Sequence, residues 1–279
     1  MSRRPGLSLI EMLIAIAILS ILIGLLLGAV QKVRMSGSKL TLSNKTRQIA
    51  LSVHNIISTD NRLPAQCEWD KSINLPLRVL AMLSVDHTQL HDLSIIPEFT
   101  NGDDPSYQFY PTRLPDSRSP GNASFGFNYL VFGGLTSTGG VSDGLSNTMM
   151  LSERYARCGK FANVNWSLIL SIGLDKNRQM YPQTLYTNRT MTFSDNHYDD
   201  ILPVYIPARR ASLGSIPGLT FQATPKPDAC DPRVLQSSTP NGLVVALMDG
   251  SVRTISPAID PAVYWSSMTP DKGEVVSLD

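Results

Sequence analysis

Between Leu7 and Val30 the chain carries a single ionisable side chain, Glu11. A carboxylate in an apolar run is costly unless it meets a cation or hydrogen-bond donors, so Glu11 asks for a positive partner. Other residues have spacings that chemistry uses. His87 and His91 stand four apart, as two metal ligands on one helix face would. A zincin needs a glutamate directly after the first histidine, and Thr88 stands there. Asp103 with Asp104, or Asp195 with Asp199 and Asp200, could offer oxygens to Ca²⁺, yet no loop around them follows a calcium pattern. They are expected to be exposed turn acids. Gly121–Gly126 lacks the glycine-to-serine spacing of a nucleophile elbow, and neither a phosphate loop nor a dinucleotide fingerprint is present. Cys67, Cys158 and Cys230 are widely spaced and odd in number. In an oxidising compartment one pair could bridge, and the spacing does not select which. The expectation is a protein that is no enzyme, with no catalytic residue, metal or cofactor.

Glu11 must be positioned by a helix. Leu7–Val30 is 24 residues, about 36 Å long as a helix, against a hydrocarbon core of about 30 Å. No polar face interrupts it, so it belongs in lipid or in the centre of a bundle. Gly24 and Gly28 are compatible with a membrane helix. A secretory signal has a shorter apolar region and a small-x-small cleavage site, whereas Leu27-Gly28-Ala29 begins with a bulky residue. A plain single-span anchor fits the length but gives Glu11 no task.

Residues 31–58 are expected to continue the helix as a neck. Lys32, Arg34, Lys39, Lys45 and Arg47 make it basic, with no acid before Asp60, and read as a solvated face. Ile49, Val53, Ile56 and Ile57 recur at helical spacing and would pack on a head, with His54 on the helix surface beside them. Asn61-Arg62-Leu63-Pro64 ends the helix. Arg3 and Arg4 precede the span, but Lys32, Arg34, Lys39 and Lys45 follow it, so the charge count does not favour an inside N-terminus.

The whole chain has 279 residues, 17% of them charged and 42% hydrophobic, with a net charge of +1. That excludes a disordered chain, a coiled coil and a disulfide-dense mini-protein, and it argues against nucleic acid as a partner. The part after the neck is long enough for one domain with a core. It reads as α+β. Leu75–Leu83 is helical and 100–122 a long loop. Phe125–Phe132, Thr148–Ser152 and Val164–Ile172 read as strands. Leu243–Met248 and Ser251–Ile255 form a hairpin about Asp249-Gly250, expected as a two-residue turn with both central residues at positive φ. Asp143-Gly144 and Ser146-Asn147 are expected turns, and Glu153 and Arg154 an ion pair. Helix-then-strand order favours a mostly antiparallel sheet packed on the neck helix. Trp69, Trp166, Tyr181, Tyr186 and Trp265 could serve a binding surface, but core packing is their ordinary use.

Arg3-Arg4-Pro5-Gly6 followed by Leu7-Ser8-Leu9-Ile10-Glu11 resembles the prepilin signature, a short basic leader ending in Gly and then an apolar run with Glu at its fifth position. Leu7 replaces the usual Phe and Ser8 the usual Thr. The resemblance implies that a prepilin peptidase at the cytoplasmic face cuts after Gly6 and methylates the new N-terminus at Leu7. That α-amine, with a reference pKa near 8, would pair with Glu11 of a neighbouring subunit and relieve both buried charges. Cleavage would then act as an assembly switch.

Further motifs follow in order: Ala29–Arg34, then Asn44 with Arg47–Leu51 and His54-Asn55, then Arg62-Leu63-Pro64. Later come Asp143-Gly144-Leu145-Ser146-Asn147-Thr148 with Glu153-Arg154, then Asp249-Gly250-Ser251-Val252-Arg253, and finally Gly273-Glu274-Val275-Val276. The ordered set resembles the large prepilin-like family of unknown function abundant in planctomycete-type bacteria. Many relatives have a His about ten residues before the late Asp-Gly; Thr239 stands near that place here. The resemblance implies a leader at 1–6, a transmembrane or assembly helix at 7–30, a neck at 31–60 and a head at 61–279. The expected protein is single-pass in the cytoplasmic membrane, N-terminus inside, with a periplasmic or extracellular head. Its expected partners are the peptidase, other pilin-like subunits of a type IV pilus or type II secretion pseudopilus, and membrane lipid. The alternative is a single-span anchored binding protein that does not polymerise.

Overall fold

The computed structural model describes residues 9–64, 75–83, 97–106, 123–133, 135–158, 161–164, 187–190, 192–193, 219–231, 234–273 and 278. It divides into two compact units, one ending at Thr41 and one running from Leu42 to Asp279. Helix α1, Leu9–Asp60, contributes to both.

In the first unit the apolar residues from Leu9 to Val30 all face outward. By length and composition this helix is long and apolar enough to cross a membrane. In the second unit the same helix acquires a buried side. Leu42, Ile49, Val53 and Ile56 recur on one face and are buried in the core, with Ile57 packed at its edge. Asn61 takes a left-handed backbone (φ 52) and stops the helix where the Asn-Arg-Leu-Pro run is expected to stop it.

The head is α+β. After α2 (Leu75–Met82), strands β1 (Phe125–Asn128), β2 (Met149–Glu153), β6 (Thr192–Phe193), β9 (Leu243–Leu247) and β10 (Val252–Ile255) form one sheet, in the order β10-β9-β2-β1-β6. Its pairings are antiparallel except for β6, which runs parallel to β1. A smaller sheet joins β3 (Arg157–Cys158), β4 (Phe161–Val164) and β5 (Thr187–Thr190); β7 (Gln222–Ala223) pairs with β8 (Gln236–Ser237).

The central sheet is covered on both faces. Val244 and Ala246 of β9 join Ile49, Val53, Ile56, Phe125 and Phe127 in one core cluster. Leu243, Val245 and Leu247 join Phe221, Leu235 and Tyr264 in the other, where α4 (Pro261–Ser266) packs. The unbroken apolar run Leu243–Leu247 reflects this: a strand covered on both sides needs no polar alternation. The sheet therefore has a second covering layer besides the expected neck helix.

The structure corrects some local expectations. The strand expected over Phe125–Phe132 ends at Asn128, which caps the short helix α3 (Tyr129–Phe132) by accepting from the Leu130 N–H. The Asp249-Gly250 turn is not a two-residue turn. Gly250 N–H donates to Leu247 O, Leu247 N–H to Ser251 O, and only Gly250 has positive φ (83). That is a three-residue loop closed by a glycine bulge. β4 ends at Val164; residues 165–172 of the expected third strand lie outside the described residues.

Candidate functional site

Gly6 and Leu7 lie outside the described residues, and Glu11 stands exposed in the first turn of α1. His87, His91, Asp195, Asp199, Asp200, Cys67, Trp69, Trp166, Tyr181 and Tyr186 also lie outside them. The remaining motif residues gather in the head.

Asp143 does more than turn the chain. Its carboxylate accepts from the N–H groups of Lys272 (3.1 Å) and Gly273 (2.6 Å), and its own N–H donates to Pro270 O. Gly273 has φ 75, so two successive amides converge on the carboxylate as a small anion nest. The central motif thus holds Gly273, the first residue of the closing motif. Gly144 (φ 97) lets the chain turn, and Asn147 Nδ2 donates back to Asp143 O.

The second site is a buried polar cluster at the end of β2. A bulge between Met149 and Leu151 shifts the register of β2 on β9. Such a shift exchanges the faces of every later side chain. Glu153, which pairs with Phe125 of β1, lies on that residue's face. It is 1% exposed. Its Oε1 accepts from Val244 N–H (2.8 Å), and its Oε2 from Ser238 N–H (3.0 Å) and Ser238 Oγ (2.8 Å); Ser237 Oγ lies 3.3 Å from Oε1. Burial raises its pKa to about 7 against the opposing hydrogen bonds. The expected Glu153–Arg154 ion pair is replaced by these contacts. The Arg154 charge instead acts on Tyr264, whose pKa burial raises and Arg154 opposes.

Asp104 is buried too, 2% exposed like Asp143, rather than an exposed turn acid. It accepts from Ser106 N–H and Oγ, from Ser124 Oγ (2.7 Å) and from Ala156 N–H (2.7 Å). Burial raises its pKa, against hydrogen bonds from Ser106, Ala156 and Ser124. Asn101 Nδ2 joins the two acids' surroundings by donating to Ser238 Oγ. Thr239, at the place of the relatives' His, is a buried turn residue whose Oγ1 donates to Gly242 O.

His54 is not merely beside the apolar stripe. Its Nε2 is buried without a hydrogen bond, and an added Cβ on Gly250 would stand 3.2 Å from it. Asp249 is exposed, and its carboxylate accepts from Ser251 N–H. Burial would raise its pKa, but hydrogen bonds from Ser251 and Ser146 and the Arg253 charge hold it below its ordinary value. Cys158 and Cys230 are bonded, 5.4 Å apart at Cα and 72 residues apart in the chain. The Arg157–Asp228 ion pair sits next to the bridge. Trp265 stacks edge-on to Tyr264 and donates Nε1–H to Leu219 O, so it serves the core.

Among the described residues no three metal-ligating side chains converge, and no histidine joins the Asp104–serine cluster. The arrangement is built to hold segments together. Sequence reasoning took Asp104 for an exposed turn acid and missed Ser237 and Ser238, whose only signal is the small polar residue itself.

Residues 1–27 match the prokaryotic N-terminal methylation motif, and residues 98–262 match the protein of unknown function family DUF1559. The second match covers more than half of the chain. The chain belongs to the DUF1559 family. Both findings agree with the prepilin-like resemblance of the motifs. The DUF1559 match spans the buried acids, the disulfide and the late hairpin, and stops inside α4. No curated protein and no solved structure matches the chain.

Proposed function

We propose that this DUF1559 protein is a membrane-inserted, prepilin-like subunit, cut after Gly6 and N-methylated at Leu7 by a prepilin peptidase, which enters a pilus-like or secretion-pseudopilus filament. The observation that carries this reading is the methylation motif at residues 1–27, continuous with an apolar helix that buries nothing before Leu42. Prepilin-like proteins are in general structural, and this one is read so. Residues 1–6 are the leader, 7–30 the assembly helix, 31–60 the neck and 61–279 the head.

In the filament the apolar helices pack together, and each Glu11 takes the Leu7 ammonium of a neighbour. A desolvated pair of this kind is sensitive to stagger, because either charge alone is penalised in an apolar setting. The Cys158–Cys230 bond supports an exported head, since such bonds persist in oxidising compartments. An exported head goes with N-inside insertion, which the count of Lys and Arg does not choose.

Intact mass and N-terminal sequencing of protein from native membranes test the processing step. A methylated Leu7 start is expected, and a Met1 start overturns it. Glu11→Leu tests assembly: insertion is retained and the filament is lost. Unchanged function in Glu11→Leu would favour a single-span anchored binding protein.

A further inference from the structure

Two oppositely charged residues of the second unit, Glu98 and Arg47, make no hydrogen bond or ion pair among the described residues. Glu98 sits in the short helical turn Pro97–Phe99, which Phe99 anchors in the core edge-on to Phe127. Its side chain is half-buried, and Oε2 is closed off from solvent with no donor to meet it. An oxygen shut off from water is a cost until something supplies the hydrogen bond. Glu98 borders an open cavity of about 220 Å³, lined otherwise by Lys45, Gln48, Ile49 and Leu83. That is below the about 300–1,000 Å³ of an ordinary small-molecule site and suits a single long side chain. An acid beside the apolar Ile49 and Leu83 fits a cation carried on an apolar stem. Lys45 Nζ, in the same cavity, donates to Thr100 O at 2.9 Å and not to Glu98.

We propose that this cavity takes Arg47 of a second copy of the chain, its guanidinium on the Glu98 carboxylate and its stem on Ile49 and Leu83. Within the second unit, α1 carries two cations: Lys45 is half-buried and Arg47 is exposed. At 3.6 residues per turn, Arg47 lies about 150° round the helix from the middle of Lys45, Gln48 and Ile49. Each copy thus offers the cation on one side of its neck and the cavity on nearly the opposite side. Such a contact is heterologous. Every copy gives Arg47 to one neighbour and receives it from another, so the contact propagates as a ring or filament and does not close as a two-fold dimer. The planar guanidinium also has paired donors that match a carboxylate, which an ammonium lacks.

The register rests on the filament reading above. There the Leu7 amine of a neighbour meets Glu11, which displaces that neighbour by four residues along α1, about 6 Å. Its Arg47 then comes level with Leu51, and a helical side chain leans toward the N-terminus, back to the level of Gln48 and Ile49. The neighbour's Lys39 comes level with Ser43 and leans away from the cavity.

Disulfide capture in native membranes tests the contact. In a Cys67→Ser background, Arg47→Cys with Glu98→Cys in one chain is expected to give a ladder of multimers under a mild oxidant. Either variant alone gives no ladder, and Lys39→Cys with Glu98→Cys loses it. The charge pairing is read from multimers captured by an amine-reactive cross-linker. Arg47→Glu and Glu98→Arg should each lower their yield by roughly tenfold, and the two together should restore it. Absence of the ladder, an equal ladder from Lys39→Cys, or a double reversal that recovers nothing overturns the proposal. N-terminal sequencing of the same samples separates it from the filament reading. A Leu7 start without a ladder overturns the Arg47–Glu98 contact alone, and a Met1 start without a ladder overturns both. A ladder on a Met1 start keeps the contact and overturns the processing.

Discussion

At the residue scale, one glycine and one carboxylate carry separate constraints. Gly250 combines a left-handed backbone with the approach of His54. Gly250→Ala is expected to destabilise the head by about 1–2 kcal/mol from the backbone, with a further loss from the His54 contact. Adding His54→Ala should recover only the contact share, measured by thermal unfolding of both variants. Glu153 gives a pH dependence of defined sign. Its pKa is raised from an ordinary 4.5 to about 7 in the folded head. Its contribution to stability is therefore full below 4.5 and is lost as pH rises through about 7. The loss is of order 3 kcal/mol from a 1.36 kcal/mol value of each pKa unit. Asp104 shifts in the same direction. Asp249 shifts the other way, so its contribution is lost only as pH falls below 3.8. Denaturant melts of the full chain across this range should show the decline, flattened in Glu153→Gln.

At the element scale, α1 and the 219–237 segment make opposite demands. Beyond Leu42 the helix is held by a narrow apolar face. Ile56→Ala, at a fully buried position, should cost about 2–4 kcal/mol. Leu51→Ala, on the exposed side of the same helix, should stay within about 0.5 kcal/mol. This contrast, read by thermal unfolding, checks which face meets the sheet. The described residues of 219–237 form only the short strands β7 and β8, and Cys158–Cys230 fastens them to β3. Replacing both cysteines by serine should cost about 2–5 kcal/mol and expose the segment to proteases before the central sheet.

Across the whole molecule, the disulfide bears on which side of the membrane the head lies. In a Cys67→Ser background, acid-quenched cells treated with a polymer-linked maleimide should show no adduct before reduction and two after it. Two adducts without reduction would place the head in a reducing compartment and remove the support for N-inside insertion. Much of the architecture was legible in residues that act on near neighbours. The apolar run, the Ile49–Ile56 stripe, the stop at Asn61 and the site of the late hairpin all depend on a few adjacent positions, where periodicity and turn chemistry operate. The α+β class followed from the order of these elements, and membership of the DUF1559 family accords with their motifs. Tertiary structure alone decided the rest. Glu153 meets Ser237 and Val244 some ninety residues on, Asp143 meets Gly273, Cys158 meets Cys230, and Asp104 meets Ala156. A small polar residue has the same local signature in an open turn as in a buried cluster. What separates the two is exclusion of water by distant segments, which comes into being only when the chain has packed.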